Sequence, residues 1–81
     1  MTIRKRNKMN EWISVEEQLP ESYEHVLVWY TYYRYGDYNC DYSTYAIAYY
    51  VKNYNMWGSP DPLGSNPRIK YWMPLPKPPE N

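Results

Sequence analysis

The sequence predicts a mostly β fold: a small antiparallel sheet of three or four strands, one short helical turn and a C-terminal polyproline strap. Three observations predict it. Two long stretches, residues 25–33 and 43–52, carry apolar side chains at every second position, the period of a strand. Aromatic residues make up 20% of the 81-residue chain, as 12 Tyr and four Trp with no Phe, and such residues suit half-buried pleated surfaces. Eight prolines then break the remaining chain into short pieces. A chain of this length supports one small domain with a marginal core.

The elements follow in order. Residues 1–10 have no apolar periodicity and read as a disordered basic arm, with residues 11–81 as the single domain. Ser14, Val15, Glu16 and Glu17 fit a Ser-x-x-Glu capping box, which predicts a short helical turn that Pro20 stops. In residues 25–33, Val26, Val28, Tyr30 and Tyr32 share one face. Leu27, Trp29, Thr31 and Tyr33 share the other. Both faces carry apolar bulk, so this strand is expected to be central and covered on both sides.

Residues 34–41 read as a loop. In residues 43–52, Tyr45, Ile47, Tyr49 and Val51 face one way, and Thr44, Ala46, Ala48 and Tyr50 the other. These two strands are expected to form an antiparallel hairpin. Ala46 and Ala48 leave a hollow for a packed Trp, a partner subunit or a ligand. Residues 53–67 form a loop pinned by Met56 and Trp57. In the last strand, residues 68–73, simple alternation places Arg68, Lys70 and Trp72 together. Pro74, Pro76, Pro78 and Pro79 force an extended tail, expected to lie as a strap across Trp72.

Composition excludes several classes of function. The longest apolar run, residues 45–51, is far short of the about 20 residues of a spanning helix. No apolar stretch follows the basic start, so no secretory signal is expected and the predicted location is the cytoplasm. Cys40 and His25 are the lone residues of their types, which excludes an internal disulfide and a cysteine-rich zinc site. His25 has no serine in a nucleophile-elbow context. Glu16 and Glu17 serve the start of a helical turn better than acid–base chemistry. Asp37, Cys40 and Asp41 lack a dense metal-ligand pattern, and no strand–glycine loop–helix unit cradles phosphate. No enzymatic activity, catalytic residue, metal or cofactor is therefore expected.

The charge balance is nine basic against nine acidic residues. Arg4, Lys5, Arg6 and Lys8 sit in the arm, so residues 9–81 hold five basic and nine acidic side chains. A mildly acidic body is a poor groove for duplex nucleic acid.

The two ends carry a resemblance. Trp12-Ile13-Ser14-Val15-Glu16-Glu17-Gln18-Leu19-Pro20 opens the domain. Val26-Leu27-Val28 and Ile47-Ala48-Tyr49 follow, and Trp72-Met73-Pro74-Leu75-Pro76-x-Pro78-Pro79 closes it. This order resembles domain of unknown function 551, a family of small phage, prophage and bacterial proteins, over residues 12–79. Tyr71 stands where relatives often carry a histidine, and the tyrosine-rich stretch 32–45 is no family signature. The resemblance implies a protein encoded by a phage or mobile element, and no activity.

Three functions remain. The first is a non-enzymatic phage-type binder that sequesters a nucleotide-derived signal of host defence in an aromatic, basic pocket. Its expected ligand-binding residues are Arg68, Lys70, Trp72, Tyr50, Trp29 and Trp57, because rings stack on bases and cations hold phosphate. The alternative is a protein-interaction module that inhibits or recruits a host protein through its tyrosine-rich surface. The third, a single-strand nucleic-acid binder using the basic arm, ranks last. The apolar bulk on both strand faces further predicts a homo-oligomer.

Overall fold

The computed structural model describes residues 11–36 and 38–79. The basic arm predicted for residues 1–10 lies outside them. Five strands form one antiparallel sheet: β1 (Ile13–Ser14), β2 (Val26–Arg34), β3 (Cys40–Val51), β4 (Met56–Gly58) and β5 (Ser65–Pro74). Their spatial order is β1-β5-β2-β3-β4, and the sheet curls into a half-barrel.

The expected hairpin is present. β2 and β3 pair without interruption from Val26↔Ala48 to Arg34↔Cys40. The expected three or four strands become five because two short edges, β1 and β4, join the three long strands. The first and last strands are neighbours: Ile13 pairs with Trp72 and Ser14 with Tyr71. The opening and closing motifs of the sequence are thus one contact in space.

The core lies on the face of the even-numbered β2 residues. Val26, Val28, Tyr30, Ala48 and Trp72 form it, with Ile13, Val15, Trp57, Leu63 and Ile69 packed around. The hollow left by Ala46 and Ala48 is closed from within the chain, since Ala48 is fully buried beside these side chains. Part of the cover is the loop that returns from β4 to β5. It brings Leu63 onto the core and Gly64 against the Tyr32 ring. Gly64 has φ +93°, and a Cβ there would lie 2.5 Å from Tyr32 Cδ2, so only glycine suits this position.

The turn that the capping box predicts at Ser14 forms and stops after a single turn. Ser14 belongs to β1, and residues 15–17 make only a turn, with the Ser14 carbonyl accepting from the N–H groups of Glu17 and Gln18. Ser14 Oγ accepts from Glu16 N–H at 3.2 Å, the bond by which an N-cap serine opens a helical turn. The helical segment proper among the described residues is 3₁₀, Lys52–Tyr54, ended by Asn55 in the left-handed region at φ 51°.

Trp72 is held from the N-terminal side: its Nε1–H donates to the Gln18 carbonyl at 2.8 Å. Of the prolines of the predicted strap, Pro74 ends β5 opposite Val26, and residues 75–79 with Pro76, Pro78 and Pro79 are exposed along their length.

Candidate functional site

β5 does not follow simple alternation. Trp29 pairs with Tyr71, but the next β2 residue, Tyr30, pairs with Ile69. Lys70 is therefore an extra residue, a bulge that changes which face the preceding residues take. Ile69 packs on the core, while Arg68 pairs with Thr31 on the other face. The expectation that Arg68, Lys70 and Trp72 share one face is corrected by this single insertion.

The six expected binding residues consequently separate. Trp72 and Tyr50 are buried in the core, 5% and 7% exposed. Tyr50 meets Trp57 edge-on, with ring centroids 5.3 Å apart, and its hydroxyl donates to Asn55 Oδ1 at 3.1 Å. These three side chains build the fold. Trp29, Arg68 and Lys70 lie elsewhere. Arg68 donates to Asp41 through both terminal guanidinium nitrogens, Nη2 at 2.9 Å and Nη1 at 3.3 Å. The Arg68 hydrogen bond holds the Asp41 carboxyl below the usual carboxylate range, and Asp41 in turn raises Arg68.

Trp29 is the centre of the second face. Strand pairing sets three cross-strand rows there. The first, Ile47–Leu27–Met73, is apolar. The second, Tyr45–Trp29–Tyr71, is aromatic. The third, Ser43–Thr31–Arg68, is polar, with Thr31 Oγ1 and Ser43 Oγ hydrogen-bonded at 2.8 Å. The face therefore runs from apolar to charged along the strands.

Trp12, just before β1, completes a cavity of about 400 Å³ lined by Trp12, Trp29, Tyr45 and Tyr71. Trp29 meets Tyr45 edge-on at 4.9 Å, and Trp12 lies nearly parallel to Tyr45 at 6.1 Å. The rings are open to solvent, with Tyr45 60% and Tyr71 44% exposed. A second cavity of about 370 Å³ is lined by Ser14, Val15, Glu16, Arg68, Ile69, Lys70 and Tyr71. Tyr71 is common to both, so an aromatic site and a polar, lysine-bearing site adjoin.

Trp12, Tyr45 and Tyr71 were not among the expected residues. Their signal was present in part: Trp29 and Tyr45 occupy matching alternate positions of two strands expected to pair. The hairpin register that aligns them, and the arrival of β5 beside β2, are long-range facts. The arrangement can grip a flat or apolar group by stacking, and it offers a cation one residue away. Among the described residues no three His, Cys, Asp or Glu side chains gather as a metal site. No helix there is long and apolar enough to cross a membrane.

No curated protein and no solved structure matches the chain at a level that shows relationship. The family described as "Protein of unknown function (DUF551)" matches residues 11–80. That span takes in both motif ends, whose pairing as β1 and β5 closes the aromatic cavity, and the chain belongs to this family.

Proposed function

We propose that the protein is a non-enzymatic binder of a nucleotide-type small molecule. The base stacks in the Trp12–Trp29–Tyr45–Tyr71 cavity and the phosphate turns toward Lys70. The observation that carries this reading is the Tyr45–Trp29–Tyr71 row, with Tyr71 also lining the cavity that holds Arg68 and Lys70. Each stacked base is worth about 1–3 kcal/mol. Asp41 already occupies the Arg68 fork, so Lys70 is the cation offered to an anion. In the phage-type setting the family resemblance implies, the biological role is counter-defence by sequestering a nucleotide-derived signal.

A specific observation favours a second reading. The Ile47–Leu27–Met73 row extends the aromatic row into a wider apolar face, with Ile47 40% exposed. Exposed apolar surface next to Tyr and Trp is the composition of a protein-binding hot spot.

Thermal unfolding against linear, cyclic and ADP-ribose-derived nucleotides decides between them. Ligand at 100 times its dissociation constant adds about 2.7 kcal/mol, which raises the melting temperature of so small a domain by roughly 10–20 °C. The shift should vanish in Trp29→Ala and shrink in Lys70→Ala. A flat panel overturns the nucleotide reading and leaves the protein-binding one.

A further inference from the structure

The outer edge of β3 is open. β4 covers only Tyr49, Tyr50 and Val51, and the Ile47 carbonyl accepts from Ser59 Oγ at 2.7 Å. The Ile47 backbone therefore points away from β2. Strand alternation gives the same direction to the N–H and C=O groups of Tyr45, Ser43 and Asp41. Among the described residues no strand pairs with residues 40–46 on that side.

Natural sheets blunt such edges with Pro, Lys, bulges or short strands. The remaining exposed edges here follow that rule. β1 and β4 have two and three residues, and β5 beyond β1 carries Pro67, Arg68, Lys70 and the bulge. Residues 40–46 of β3 carry no Pro, Lys, Arg or Gly, and the strand runs without a register shift.

We propose that a second copy of the chain pairs with this edge, β3 to β3 and antiparallel, joining two sheets into one about a twofold axis near Ser43 and Thr44. Three features favour a second copy. An antiparallel edge is complementary to itself in donors and acceptors, as an isologous contact requires. Asp41 is the one ionised side chain in residues 40–48, and Arg68 of its own chain already neutralises it, so no like charges collide. Tyr42 and Tyr45, 47% and 60% exposed, stand on opposite faces of the strand and would cover the seam on both sides with cross-strand aromatic contacts. The twofold keeps both aromatic cavities on one continuous face. The inference is independent of what those cavities bind.

The test is the mass of the native chain in solution by light scattering over a wide concentration range, with amide hydrogen exchange on the same samples. A species of twice 9.9 kDa, with the amides of Asp41, Ser43 and Tyr45 protected, supports the pairing. A monomer at all concentrations overturns it, as does a dimer in which those amides exchange as free groups. Ser43→Pro removes an outward N–H that no internal pair uses. If it folds by circular dichroism, it should be monomeric, and a folded dimer overturns the proposal. If it does not fold, the exchange pattern of the native chain decides.

Discussion

Tyr30 is 5% exposed and stacks on Tyr32 at 5.6 Å. Burial raises its phenol above the ordinary value of 10.0, because the phenolate would lose its hydration, and the neighbouring Tyr32 adds to the rise. The unfolded chain ionises this group first. The stability it contributes is thus complete below about pH 10 and is lost as pH rises through the folded-state value. Tyr30→Phe should keep more of its melting temperature than the parent chain in a series of thermal melts above that pH. The depressed Asp41 acts at the other end. Its contribution is present above the usual carboxylate range, about pH 4, and falls away in acid. The pair is exposed, so the acid effect should be small.

At the scale of elements, the hairpin was legible and β5 was not. Val26, Val28, Tyr30 and Tyr32 announce their common face by period two, and the structure keeps it. β5 has the same kind of sequence, yet one inserted residue, Lys70, sends Arg68 and Trp72 to opposite faces. A bulge of one residue leaves the composition of a strand unchanged, so alternation alone cannot locate it. Deleting Lys70 removes the bulge and leaves plain alternation, with Trp72 and Ile69 inward and Arg68 outward as before. The deletion variant should therefore keep a cooperative thermal unfolding transition, because no paired residue changes face. Lys70→Ala keeps the residue count and should melt near the parent temperature. The capping box was legible for the opposite reason: the Ser14 hydroxyl caps the N–H two residues on, a bond made within one turn and so written in local sequence.

Across the whole molecule, the two sheet faces do different work. Covered by Leu63, Trp57 and the segment before Pro20, the even face of β2 is the core. The odd face carries the open aromatic row and its cavity, and the second cavity lies along β1 and β5, lined also by the core-packed Val15 and Ile69. Trp72 and Trp29 differ accordingly, although both pair across β2 and β5. Trp72→Ala empties a buried site at about 3–5 kcal/mol, a large fraction of what so small a domain has. Denaturant titration should show it largely unfolded in water. Trp29→Ala exposes a half-open face and should unfold cooperatively at modestly lower denaturant, with the nucleotide response gone. Equal destabilisation of the two variants would mean that the odd face is also core.

The sequence by itself determined the β class, the two long strands and the side chains on each of their faces. It also carried the paired motifs of the family. These are local properties: a strand shows its faces within a few residues because neighbours point in opposite directions. Only the tertiary structure decided that residues 13 and 72 pair and that the alanine hollow is filled from within. It alone aligned Trp12, Trp29, Tyr45 and Tyr71 around one cavity. Those outcomes join segments up to about sixty residues apart, and loop closure couples them weakly to any local signal. Which register wins depends on the whole sheet forming at once.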